Sequence, residues 1–307
     1  PLRWTGYTGV GFSRISVNPS LSIIYKLNYA WRFTAHASYK ERYGEMTDLY
    51  DRPYQTDYRN SVWNCGILPV YRQQLYSVYG EYKSTAREFF ATVNLTHNRE
   101  WYNRIYEQRI ENGQVQRVSL PLSNHGSGYT VKSTLSKGFY DLGLKTSLMA
   151  LLNISKAEQI SGGQRLPYQY RLMRLEPKVI WTPNRHWETS YQTDIRYGGN
   201  KIGERTRLAP LWNVTQQVQL SYIFSPIEAS LSVDHYHNDV NEDQSVNAVF
   251  ADFSVLWKSR RLQITATATN LFDKRTYGYT RYASLESYTS WVRIRPREFL
   301  VAIRYQL

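Results

Sequence analysis

Apolar and polar residues alternate along most of this chain. Leu21, Ile23, Tyr25 and Leu27 share one parity, and Ser20, Ser22, Ile24 and Lys26 the other. After a tight turn at residues 28–30, Trp31, Phe33, Ala35, Ala37 and Tyr39 alternate with Arg32, Thr34, His36, Ser38 and Lys40. Side chains point to opposite faces of a strand in turn, so this period of two predicts a hairpin with one apolar and one polar face. The same scheme recurs at Leu142 to Ile154, Trp187 to Tyr197, Trp212 to Phe224, Ile227 to Val233 and Val249 to Trp257. About 13 strands can be read in this way. The predicted class is all-β: an antiparallel, up-and-down transmembrane β-barrel of about 13 or 14 strands.

The turns sharpen that reading. Those near Tyr29, Thr85, Tyr140, Asn184, Ser225 and Ser259 are short, and most connections between them are longer. Barrels of the outer membrane have short periplasmic turns and longer outer loops. Aromatic residues flank the short turns (Trp31, Phe89, Phe139, Tyr140, Trp181, Trp187, Phe224 and Trp257), as an interfacial girdle requires. Residues 44–69 and the Asn112-Gly113 tip are therefore expected outside, and residues 84–86 and 183–185 at the periplasmic face. The arms reaching Asn112-Gly113 read as continuous strands from Phe89 and back to Lys137. At ~3.3 Å per residue such arms would be roughly 80 Å long and stand clear of the bilayer. Residues 161–163 and 198–205 read as loops, so their glycine pairs are turns rather than phosphate cradles.

The last 45 or so residues are the most specific. Asn270-Leu271-Phe272-Asp273 precedes a loop. Arg295-Pro296-Arg297 then opens a strand in which Phe299, Val301, Ile303, Tyr305 and Leu307 share the apolar parity. This ending resembles that of TonB-dependent outer-membrane receptors and related Bacteroidetes-type outer-membrane barrels, with Leu307 where those usually carry Phe. The resemblance implies that Phe299 to Leu307 is the signal read by the barrel-assembly machinery. It also implies a larger receptor of about 22 strands with an N-terminal plug. Residues 1–307 would then be its C-terminal barrel part, lacking the plug, the TonB box and the first strands. Alternatively residues 3–14 supply one more strand and the chain closes as about 14 strands.

Composition changes this picture little. No apolar run approaches the ~18 residues of a spanning helix, a test that barrels evade. The 27 Tyr and 9 Trp among 307 residues suit a membrane–water interface. A formal charge of +13 would suggest nucleic acid in a soluble protein, but the Lys and Arg residues are dispersed through the alternating runs. A basic lumen, or a rim meeting anionic lipopolysaccharide and lipid, accounts for them, and no nucleic-acid partner is expected. The single Cys65 permits no internal disulfide. The chain opens on Pro1-Leu2-Arg3-Trp4 without a signal peptide, so a leader or an N-terminal part is expected to be missing.

Candidate chemistry is sparse. The polar parity puts Arg32, His36, Lys40, Lys132, Lys145, Arg196, Asp234 and Arg304 in the lumen. His235, His237 and Asp239 are metal-ligand types at a strand end, but a solvated rim is the expected role, and no metal or cofactor is assigned. No catalytic set is present, so no enzyme is expected. The reading is an uptake receptor of the Gram-negative outer membrane. Its outer loops capture a scarce, unidentified small ligand, and TonB energises uptake through the missing region. A passive pore or a non-transporting barrel is the alternative.

Overall fold

The computed structural model describes residues 2–5, 11–111, 114–203, 206–207, 210–240, 243–283 and 286–306. Thirteen strands form one antiparallel meander. They are β1 (Ser20–Lys26), β2 (Trp31–Tyr43), β3 (Val70–Ser84), β4 (Phe89–Tyr102), β5 (Asn124–Phe139), β6 (Leu144–Ser161), β7 (Gln164–Asn184), β8 (Trp187–Ile202), β9 (Leu211–Phe224), β10 (Ile227–Asp239), β11 (Ser245–Lys258), β12 (Leu262–Thr269) and β13 (Glu298–Tyr305). Each pairs with the next, and the sheet curls into a barrel wall. The short connections lie where the sequence places them. Gly143, at φ 59°, closes the one after β5, where an added Cβ would collide with the Thr182 carbonyl oxygen. Among the described residues no helix is long and apolar enough to cross a membrane, which says nothing of a wall built from strands.

The register turns the alternation into two continuous faces. One rung runs Val78, Leu95, Val131, Leu152, Met173, Tyr197, each directly opposite the next. On the other face Arg32, Glu81, Thr92 and Thr134 follow one another in the same way. The apolar face is open: Val78 is 53% exposed, Leu95 48% and Met173 54%. So contiguous an apolar surface is costly in water and is satisfied in lipid.

Three expectations need correction. Residues 3–14 do not extend the wall. Leu2–Thr5 pairs with Gly11–Arg14 as a separate two-stranded sheet. Pro19, which has no N–H to continue a ladder, precedes β1. Among the described residues no ladder joins β1 to β13, and every residue of both is exposed. The wall is thus open between two edges, not closed as 14 strands.

The arms reaching Asn112-Gly113 are not continuous either. They break after Tyr102 and before Asn124, and residues 105–120 form a separate hairpin. The Asn103 side chain causes one break, accepting the Val70 N–H at 2.8 Å and donating to the Leu68 carbonyl at 2.9 Å. Pro121 stands at the other. The tip itself lies outside the described residues. Gly162-Gly163 is a two-residue hairpin turn with positive φ at both positions, as the sequence reading has it, whereas Gly198-Gly199 lies inside β8 and not in a loop.

Candidate functional site

The hairpin of residues 105–120 folds across the mouth of the wall. One arm (Gln114–Leu120) lies parallel to Asn60–Trp63 of the first outer loop. The other (Ile105–Glu111) pairs with the top of β6. Ile105 is fully buried beneath it. Glu107 ties its side to the β6–β7 tip, accepting the Gly163 N–H at 3.0 Å and two bonds from Arg109 at 2.7 and 2.9 Å. Cys65 lies against Ser119, Sγ to Oγ 3.5 Å.

Arg104, 5% exposed, is the hub. One guanidinium nitrogen donates to Asp48 at 2.9 Å, another to the Tyr71 hydroxyl at 2.8 Å. The guanidinium also lies over the Tyr106 ring at 4.9 Å, and Arg117 covers the same ring at 3.7 Å. Asp48 belongs to the short 3-10 turn Met46–Leu49 and accepts the Glu45 N–H at 2.9 Å. Burial works against the Arg104 charge, but Tyr106, Asp48 and Tyr71 outweigh it and raise its pKa. Burial raises the Tyr106 phenol despite the two cations, so it stays neutral. Beneath this lid lies a vestibule of about 920 Å³, lined among others by Tyr71, Tyr102, Tyr106, Tyr168, Glu100 and Asn124. Such a chamber combines ring faces for stacking with amide, carboxylate and guanidinium groups for orientation.

The eight lumen candidates share the polar face. Arg32 stands opposite Glu81, His36 opposite Ser77, Lys40 opposite Gln73, Lys132 opposite Asn94, Lys145 opposite Ile180, Arg196 opposite Asn213, Asp234 opposite Gln217 and Arg304 opposite Gln263. They form no single cluster. Arg196 joins Arg174, Glu176 and Asp194 in an ion-pair group, with Arg174 Nε to Asp194 at 2.9 Å. His36 meets Ser22 at 2.8 Å.

His235 and His237 lie on the other, apolar parity, opposite Gln216 and Val214. His237 contacts Asn247 at 2.9 Å and Asp239 at 3.3 Å. Asp239 also accepts the Trp212 N–H at 2.8 Å. Among the described residues no three His, Cys, Asp or Glu side chains converge as a metal site.

The terminal motif is a clasp. Asn270, at φ 50° and 7% exposed, donates to the carbonyls of Lys274 and Arg295 at 2.9 and 2.8 Å and accepts the Lys274 N–H at 3.0 Å. Its own N–H reaches Asp252 at 2.8 Å, and Leu271 donates to the Ala251 carbonyl. Asp273 pairs with Arg275 and accepts the Arg297 N–H at 3.0 Å. Phe272 is exposed, and Pro296 lines a cleft with Asp234. The strand after it carries Phe299, Val301, Ile303 and Tyr305 on the apolar face, while Leu307 lies outside the described residues.

The vestibule was not anticipated from the sequence. The turn-forming Asn103 and Pro121 are the signal the sequence holds for it.

No protein-family model and no curated protein matches this sequence. Several solved structures are similar to it. Pyoverdine-bound FpvA of P. aeruginosa gives a TM-score of 0.48 at 10% identity over 93% of this chain and 44% of that one. The ferric yersiniabactin uptake receptor FyuA of Yersinia pestis gives 0.48 at 8% identity over 94% and 50%. The ferric-catecholate import receptor Fiu of E. coli K12 gives 0.30 at 10% identity over 94% and 62%. This chain therefore spans half or less of the first two, and these likenesses assign it neither a family nor a ligand.

Proposed function

We propose that this chain is the wall and outer mouth of a receptor barrel in the outer membrane of a Gram-negative bacterium, taking up a small ligand captured in the vestibule. The observation that carries the reading is the combination of an open apolar face outside with a loop-covered polar chamber at one end. A structural barrel needs the first feature but not the second. The buried Arg104 hub holds the lid in place, as capture requires and free diffusion does not. Uptake would be driven by TonB through a region outside this chain, and the terminal strand would be the signal for the barrel-assembly machinery. The ligand's chemistry is unassigned.

The test is uptake by cells carrying the complete protein, measured over a panel of labelled small solutes. Receptor action predicts saturable uptake of one solute class, abolished by a protonophore and weakened by Arg104→Ala. Uptake of many solutes that is linear in concentration and indifferent to the protonophore would identify the passive pore instead.

A further inference from the structure

The outward face carries a second pattern. Two rungs above the apolar rung of Leu95 and Leu152, the register runs Gln74, Arg99, Ser127, Lys156, Gln169, Lys201, each opposite the next. The rung between them adds Arg171. Four cations therefore lie on one stretch of outer wall. Among the described residues none of the four has an acidic partner. Arg99, Lys156 and Arg171 are exposed. Lys156 and Lys201 line a cleft of about 300 Å³. The one carboxylate there, Glu158, is engaged by Arg165 at 3.2 Å and His125 at 4.0 Å.

Height fixes what this row meets. Lys156 lies twelve positions along β6 from Leu144 at the short-turn end. At ~3.3 Å per residue and a tilt near ~45°, that is roughly 28 Å, the top of a ~25 Å apolar band. Directly beneath, His97 stacks between Tyr129 at 4.3 Å and Tyr76 at 6.4 Å, and Arg99 donates to its ring at 3.3 Å. These rings head an apolar groove of about 530 Å³ that continues to Val78, Leu95 and Val131. On the far side of the wall, the outward positions of β10 and β11 toward the same end hold His235, His237, Asp239, Val249, Asn247 and Ser245, with no Lys or Arg. The charge is thus a local patch and not a general rim.

We infer that this patch is a binding site for a phosphorylated glycolipid of the outer leaflet. Its phosphates would lie on Lys156, Lys201, Arg99 and Arg171, and its acyl chains in the groove below. The site rests on the outer-membrane reading above. Charge complementarity and the adjoining groove favour this occupant over a soluble anion, which would gain nothing from the apolar part.

The test uses the complete protein purified in mild detergent, with bound lipid counted by native mass spectrometry. The probes are bisphosphorylated lipid A, the same glycolipid without phosphates, and phosphatidylglycerol. Wild type should retain lipid A in preference to both others. The double variant K156Q/K201Q should bind lipid A at least about tenfold more weakly, while Lys258→Gln, at the opposite end of the wall, should not change binding. R99Q/R171Q is the second variant should the first fail to assemble. Equal lipid A binding by wild type and an assembled variant overturns the site, as does equal retention of the phosphate-free glycolipid or of phosphatidylglycerol. Boiled and unboiled electrophoretic mobility is measured alongside. If wild type shows no heat-modifiable form, the barrel reading fails, and that failure is distinct from a folded barrel without the site.

Discussion

Two sides of this wall solve different problems. Strands β5 to β8 are 16, 18, 21 and 16 residues long, whereas β1, β12 and β13 have 7, 8 and 8. At ~3.3 Å per residue and ~45° tilt, 21 residues rise roughly 50 Å and 8 only about 19 Å. The tall side overshoots a ~25 Å apolar band, and its excess builds the vestibule and carries the basic row. The low side falls short of that band, and the clasp around Asn270 fixes its outer end. Length on one side is thus matched by a side-chain knot on the other.

The largest expected effect breaks the tall side. Leu148 lies on the apolar face, opposite Leu135 and Pro177. Leu148→Arg should destabilise the barrel by about 2–4 kcal/mol in a lipid refolding titration, and Ser147→Arg, on the polar face, by far less. Equal costs would mean that the two faces of β6 see the same medium.

On the low side, Asn270→Ala removes three side-chain hydrogen bonds from a buried position. A loss of about 1–3 kcal/mol is expected, read as faster amide exchange in Thr276–Ala283 and β13 while β6 and β7 stay protected. Exchange rising equally on both sides would abolish the distinction between them.

The smallest effect is the acid response of the clasp. Arg275 first, then the Arg297 N–H, holds the Asp273 carboxyl below its ordinary value of 3.8. A depressed folded pKa contributes stability that is full above the unfolded value and is lost as pH falls through the folded one. The Arg297 amide resonance should therefore shift only below about pH 4. In Asp273→Asn it should not titrate in that range, and a titration surviving the substitution would assign it to another group.

The wall was legible because a period of two survives in every strand from Leu21 onward, and because register follows from the parity of each hairpin. Parity alone assigns Leu148 to the apolar face and Arg32 to the polar one. The vestibule was not legible, because it depends on two backbone breaks. Alternation within each run does not report a break between runs, such as those at Asn103 and Pro121. The ion-pair group of Arg174, Glu176 and Asp194 was missed for another reason. Its members lie on neighbouring strands, and pairing between charges on one face is set by registry and not by local sequence. The clasp stood in the sequence as a string of letters. That Asn270 holds two carbonyls and an N–H emerges only when residues 25 positions apart meet.

The open edges carry a consequence of parity. Both β1 and β13 run toward the short-turn side, because the meander has thirteen strands and direction reverses at each. Two ends with the same polarity cannot be zipped together antiparallel. A direct seam between them would be a parallel ladder in an otherwise antiparallel wall. Any insertion that keeps the alternation must bring an odd number of strands, whatever chain supplies it. The complete cylinder then has an even strand count, and a cylinder with an odd count would reveal one parallel seam.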